Sequence, residues 1–286
     1  LEIEFKDKLA RLDALAGTAG IGPSTDEDKG DGGKSASSRS KPTGRRNLRD
    51  VKMPEERLEI PDPEFEALVA RGLASERIRC IRRGLDRLPA LKPLRAGRLP
   101  LRIICVARLV EKKGLDHQMR IYAALYAAGV PFAARIAGDG PLRATLEQLA
   151  GKLGIASHVT FCGHLAHHEV WTQLGWADVL IHTGVVAPSG DRDGLPNVIP
   201  EAMSIGVGVV TSPAAATTEA ITHGETGLVA EVDRPADWVA ALRTLATDDT
   251  TATRQRLAAR SWVEENFDAH RNAARLHAAF EEAIQA

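Results

Sequence analysis

From Leu101 onward, apolar positions fall into two alternating patterns. Short apolar runs of strand length are LRIICVARL, PFAARIAG, HVTFCG, ADVLIHT and GVGVVTS. Between them lie LDHQMRIYAALYAAGV, LRATLEQLAGKLG, HHEVWTQLGW and EAMSIG, whose apolar residues follow helical spacing. TTEAITHG reads as a further short helix, GETGLVAEV as a turn and strand, and three helices close the chain near 234–247, 251–265 and 268–284. Strands alternating with helices predict an α/β fold, a Rossmann-like parallel sheet with helices on both faces. Ligands of such sheets bind at the carboxyl ends of the strands. The loops richest in Gly, Asp and Arg, 107–114, 138–141 and 184–196, all fall there.

The first hundred residues are patterned differently. Residues 1–20 carry one short helical segment, FKDKLARLDALAG. Residues 21–55 are dominated by Gly, Ser, Asp and Lys over much of their length, a composition that predicts a disordered linker. Residues 56–98 read as a connecting remnant, with a short helix in PEFEALVARGLA and a strand and turn in RIRCIRRGLD, and 99–286 as the Rossmann-like domain. The 286 residues carry a net charge of −1, which gives no reason to expect a nucleic acid partner. Cys80, Cys105 and Cys162 are isolated in apolar surroundings and read as buried, reduced thiols of a cytosolic protein. No apolar run reaches transmembrane length, and no signal-peptide pattern opens the chain, which begins with Leu1.

The organising stretch is Asp191–Glu201, D-R-D-G-L-P-N-V-I-P-E, a loop between a strand and a helix. Asp193 and Glu201 are positioned to hold sugar or ribose hydroxyls, since an ionised carboxylate accepts several hydrogen bonds. Gly194 permits close backbone approach to a ligand, and Pro196 suits a first helical turn. An acidic helix cap followed by a surface glutamate fits the same residues. Pro200 falls inside the predicted helix and removes one backbone hydrogen bond.

In the loop ARLVEKKG, Arg108 and Lys113 are either two surface cations or a pair converging on a diphosphate. Gly138-Asp139-Gly140-Pro141 does not complete a dinucleotide fingerprint, and Asp139 reads as the cap of the next helix. His164, His167 and His168 lack a completing ligand at metal spacing, so no metal is expected; their loop borders a nucleotide base or caps a helix. Glu219 reads as an acid at a helix N-terminus.

Taken in order, VARLVEKKGLD, IAGDGPLRATLEQLA, HVTFCGHL, ADVLIHTGVVAPSGDRDGLPNVIPEAMSIGVGVVTS and GETGLVAEVD resemble the donor-binding half of the retaining glycosyltransferases of family 4, with the GT-B fold. The resemblance runs over about residues 76–270. It implies retaining transfer of a hexosyl group from a UDP- or GDP-linked sugar to an acceptor hydroxyl, without a metal or other cofactor. Its PSGDRDGLP segment is similar to enzymes of bacterial polysaccharide or glycolipid synthesis. Arg108 and Lys113 match the pair on the donor diphosphate, Asp193 the acid beside the transferred sugar, and Glu201 the acid on the ribose. Gly194, Leu195 and Pro196 match the backbone contacting sugar or phosphate. Gly138, Gly163, His164 and Leu165 match loops that border the donor.

Other features depart from the family. Asp193 stands where Glu is usual, Ala107 where Gly is usual, and Ala215 and Ala216 replace a glycine-bearing loop before Glu219. The stretch before residue 99 is too short for a full acceptor domain, so the acceptor domain is expected to be largely absent. A second chain would then supply the face that binds a saccharide or lipid-linked acceptor, and either residues 1–20 or that chain would cover the closing helix. The location implied is cytoplasmic, with peripheral attachment to the inner membrane face left open. A non-catalytic nucleotide-sugar-binding module, or one subunit of a split enzyme, is the alternative reading. A GT-B epimerase or phosphorylase is a third.

Overall fold

The structure, a computed structural model, describes residues 81–285. The readings made for residues 1–20, 21–55 and 63–74, and for Cys80, lie outside the described residues. Six strands form one parallel sheet: β1 (Leu101–Val106), β2 (Phe132–Ala137), β3 (Val159–Gly163), β4 (Val179–His182), β5 (Gly208–Thr211) and β6 (Leu228–Val229). Their order is β3-β2-β1-β4-β5-β6. The connecting and closing helices are α1 (Leu115–Ala127), α2 (Arg143–Lys152), α3 (His167–Trp176), α4 (Val198–Ser204), α5 (Pro235–Thr247), α6 (Asp249–Asn266) and α7 (Ala269–Gln285). No described helix is long and apolar enough to cross a membrane.

Both sheet faces are covered, which is why the strands read as largely apolar runs, broken by Arg102 in β1, Arg135 in β2 and Thr160 in β3. Ile103, Cys105, Val179, Ile181 and Val210 point into one core, with Met119 and Tyr122 of α1, Leu146 of α2 and Trp238 of α5. The alternate positions Ile104, Leu180 and Val209 point into the other, with Leu174 of α3, Met203 of α4 and Val263 of α6. Each such side chain, fully buried, contributes about 1.5–3 kcal/mol.

Several local expectations are corrected. Residues 81–86 form no strand; they pair only through a single bridge, Leu85 with Asp268. TTEAITHG is not a helix, because a five-residue 3-10 turn, Ala215–Glu219, stands there instead. Glu219 therefore ends a turn rather than opening a helix, and its Oε2 pairs with Arg82 Nη2 at 3.0 Å. Ala216 adopts φ −82°, so it is unstrained where the family pattern carries glycine. Pro200 is the third residue of α4, where its missing N–H would have had no partner inside the helix in any case. Asp139 does not cap α2, which begins four residues later. Its Oδ1 accepts from Gly140 N–H at 2.7 Å and its Oδ2 pairs with Arg143 at 3.2 Å. Cys105 is buried but Cys162 is only half-buried; both are free thiols.

The segment leading into β1 is strapped beneath the sheet by cations. Arg95 grips Asp178 through both carboxylate oxygens, at 3.1 and 2.5 Å. Lys92 donates to the Ala177 carbonyl, Arg256 to the Lys92 carbonyl, and Arg260 to the Pro89 and Ser204 carbonyls. Arg82 meets the last helices, its guanidinium 5.6 Å from the Trp262 ring centroid.

Candidate active site

The chain runs from β1 outward to β2 and β3, and from β4 in the opposite direction to β5 and β6. Adjacent strands whose loops diverge leave a crevice over their carboxyl ends, the place where open α/β sheets bind ligands. The loops flanking it are 107–114 after β1 and 183–197 after β4.

These two loops are stitched together. Val185 N–H donates to the Lys112 carbonyl at 2.9 Å, and the Thr183 hydroxyl lies 3.0 Å from the Lys113 carbonyl. Gly114 makes the approach possible: it has φ +57°, and a Cβ there would stand 2.0 Å from the Thr183 carbonyl oxygen. Side chains cross the same seam. Lys113 donates to Asp193 Oδ2, and Lys112 pairs with Asp191 Oδ1 at 3.0 Å and Asp193 Oδ1 at 3.4 Å. Asp193 is thus held from one side by two lysines that lie 80 and 81 positions earlier in the chain.

Behind Asp193 stands His182, the last residue of β4, which is 3% exposed. Its Nδ1 accepts from Gly184 N–H at 3.4 Å, which leaves Nε2 to carry the proton in the neutral ring. Nε2 is 3.6 Å from Asp193 Oδ2. Burial alone would push the Asp193 carboxyl up, but His182 and Lys113 beside it hold it well below the usual carboxylate range. Arg108 is exposed just past the end of β1, and its side chain makes no ion pair or hydrogen bond with a described residue. The sequence-predicted pair Arg108 and Lys113 therefore shares one loop in two different states, one free and one bound to an acid.

Glu201 lies in the first turn of α4, largely buried, with Oε1 3.3 Å from His167 Nε2. Burial raises its carboxyl above the ordinary value, and His167 offsets part of that rise. Gly194 is exposed, and open space surrounds the position of a Cβ there. Leu195 packs against the second core. Pro196 precedes α4, its carbonyl accepting from Ile199 N–H at 3.0 Å.

Gly138 and Gly163 have a packing role. They form a bridge in which Gly138 N–H donates to Gly163 O at 2.7 Å. A Cβ on Gly138 would lie 1.9 Å from the Ala107 carbonyl oxygen. His164 and His168 are exposed, and Leu165 turns into the core. Among the described residues no group of three or more His, Cys, Asp or Glu is arranged to hold a metal ion. Sequence reasoning missed Lys112, Asp191 and His182. The doubled lysine before Gly114 was the available signal for the first; nothing local marked the other two.

The fold and crevice define a Rossmann-like α/β domain of the kind found in GT-B enzymes. The family described as glycosyl transferases group 1 matches residues 95–262, and the chain belongs to it. It is 32% identical over 204 residues to the amylovoran biosynthesis glycosyltransferase AmsK of Erwinia amylovora, covering 71% of this chain and 50% of that protein. It is 35% identical over 176 residues to a GDP-mannose-dependent alpha-(1-6)-phosphatidylinositol monomannoside mannosyltransferase of Mycobacterium tuberculosis, covering 60% of this chain and 45% of that protein. The chain spans about half the length of the curated relatives it matches. In fold it is similar to Anabaena Alr3699/HepE, solved with UDP and glucose: TM-score 0.62 at 20% identity, over 76% of this chain and 60% of that one.

The two acids predict a pH effect on ligand binding. A ligand that needs Glu201 ionised should bind less tightly as pH falls from 7.5 to 4.5, with the loss starting above the ordinary glutamate range. Glu201→Gln should bind weakly and show a flat profile there. Asp193 adds no step in this window because it stays ionised. For the fold, the Asp193 contribution is present above the unfolded aspartate pKa of about 4 and is lost as pH falls below it. Calorimetric titration at several pH values checks the first statement, and chemical denaturation across acid pH checks the second.

Proposed function

We propose that this domain binds a nucleoside diphosphate sugar and serves as the donor half of a retaining glycosyltransferase. The observation that carries the reading is the switch-point crevice, where Lys112 and Lys113 meet Asp193 across two stitched loops and Arg108 stands exposed in the same loop as the lysines. A UDP- or GDP-linked hexose is the donor, by analogy with the nucleotides that the relatives' names print. The acceptor is a saccharide or lipid-linked hydroxyl in bacterial polysaccharide or glycolipid synthesis, a role supported by the likeness to the amylovoran enzyme. The acceptor surface is supplied by a partner half, in the same polypeptide or in a second chain. The assembly works on the cytoplasmic side.

Arg108 and Lys113 take the diphosphate, with the diphosphate competing against Asp193 for Lys113. Asp193, released toward the transferred sugar and still backed by His182, accepts sugar hydroxyls. Glu201 accepts from the ribose, and the open backbone at Gly194 allows the sugar to approach. In the transfer step the acceptor oxygen bonds to the anomeric carbon on the face the nucleotide leaves. The bond from that carbon to the diphosphate oxygen breaks, the electron pair stays on the diphosphate, and the acceptor proton passes to it. No metal is required, because the cations of the 107–114 loop offset the charge that develops on the leaving group.

The test is calorimetry of the full chain with UDP-, GDP- and ADP-sugars. Binding of at least one donor is expected, with the heat abolished in Arg108→Ala/Lys113→Ala. Absence of heat with every donor at millimolar concentration would overturn the reading.

A further inference from the structure

At the end of the sheet remote from the crevice, a small cavity opens beneath β4 and β5. It is lined by Arg98, Asp178, Gly206, Gln255 and Arg256, with Leu94 and Leu245 closing the sides. Its volume is about 20 Å³, room for one or two particles of water size and too little for phosphate or sulfate. Three of its polar side chains are almost wholly buried: Arg98 and Gln255 are each 3% exposed and Arg256 is 9% exposed.

These side chains have spent only part of their hydrogen-bonding capacity on protein. Arg98 Nε donates to the Leu245 carbonyl at 2.6 Å, and Arg98 Nη2 stands 2.8 Å from Asp249 Oδ1. Arg256 Nη2 donates to the Lys92 carbonyl. Arg98 Nη1, Arg256 Nε and both ends of the Gln255 carboxamide have no hydrogen-bond partner in the protein, and Arg98 Nη2 meets Asp249 as an ion pair without an aligned hydrogen bond. Counting hydrogens, two on Arg98 Nη1, one on Arg256 Nε and two on Gln255 Nε2 face a single acceptor, Gln255 Oε1.

Charge points the same way as the hydrogen count. Among the described residues, Lys92, Arg95, Arg98, Arg102 and Arg256 gather at this corner, and the acids they meet are Asp178 and Asp249. Asp178 already accepts three hydrogen bonds, two from Arg95 and one from Arg102 N–H at 3.0 Å, and Asp249 is three-quarters exposed. Burial, and then the field of neighbouring arginines working against Asp178, draws the Lys92 ammonium down to about 8. A water would fill the space but would bring two donors to a site short of acceptors. A monoanion accepts from all of the free N–H groups and offsets the charge.

We propose that this cavity is a binding site for a small monoanion of halide size, held by Arg98, Gln255 and Arg256. The anion ties α6 to the strap that leads into β1. It takes no part in sugar transfer, and the proposal does not depend on the donor-site reading.

Two measurements on the full chain test it. The melting temperature, followed at constant ionic strength, should rise saturably by about 2–4 °C when sodium gluconate, too large for the cavity, is exchanged for sodium chloride or bromide. Gln255→Glu places a carboxylate where the anion would sit, so this variant should melt at the same temperature in both salts. Crystals grown in bromide should show anomalous density between Arg98 Nη1 and Arg256 Nε. A cavity without anomalous signal would overturn the proposal, as would a halide response that survives in Gln255→Glu. Should the variant fail to fold, the bromide density alone decides.

Discussion

Lys113→Ala is expected to abolish detectable donor binding, a loss of about 100-fold or more, because it acts twice on the same crevice. It removes a cation proposed for the leaving diphosphate. It also takes from Asp193 its nearest partner while leaving that carboxylate mostly buried against His182. Breaking a fully buried pair costs about 3–5 kcal/mol. Here both side chains are slightly exposed and Lys112 remains within 3.4 Å of Asp193, so about 1–2 kcal/mol of stability is expected to go. Lys113→Ala/Asp193→Asn separates the two effects: the stability should return and donor binding should not. The readouts are chemical denaturation and calorimetric titration. Full donor affinity in the single variant would remove Lys113 from the site.

Gly114→Ala is expected to be a severely damaging single-methyl change at the crevice. The position has φ +57°, unfavourable for any side chain, and the new methyl would meet the Thr183 carbonyl at 2.0 Å. Backbone must move, and the loops at risk are those that bring Lys112 and Lys113 to Asp193. A loss of about 3 kcal/mol is expected, with a fall in melting temperature of roughly 6–12 °C and weakened donor binding. Gly194→Ala is the control. Open space surrounds that position, and its stability should change by less than about 1 kcal/mol.

The strands and larger helices were legible because their residues answer to local rules. Ile103 and Ile104 sit in opposite cores, yet both are apolar, so β1 reads as a buried strand whichever face each takes. Local rules fail where a long-range contact decides. Asp139 is a local exception: it looks like a cap in sequence, but the neighbouring Gly140 N–H and the Arg143 side chain, four positions on, take its carboxylate. Glu219 looks like a helix-opening acid, but Arg82, 137 positions away, fixes it at the end of a turn. Arg108, Lys113, Asp193 and Glu201 were singled out from residue type, motif order and the family resemblance. Their pairing was not, since the contact between Lys113 and Asp193 spans 80 positions. His182 was hidden for a different reason: it ends an apolar strand, where a buried imidazole leaves no mark in the pattern.

The link from Arg82 to Glu219 ties together two places that would otherwise be independent. Arg82 lies on the path by which the polypeptide arrives at the domain, against Trp262 near the last two helices, and Glu219 closes the turn that follows β5 on the crevice side of the sheet. With both side chains nearly out of water, the guanidinium works as a tie rod rather than a surface ornament. The heading of the incoming polypeptide and the seating of the 215–219 turn become one mechanical variable. A change of heading at Arg82 is thereby passed to the rim of the crevice.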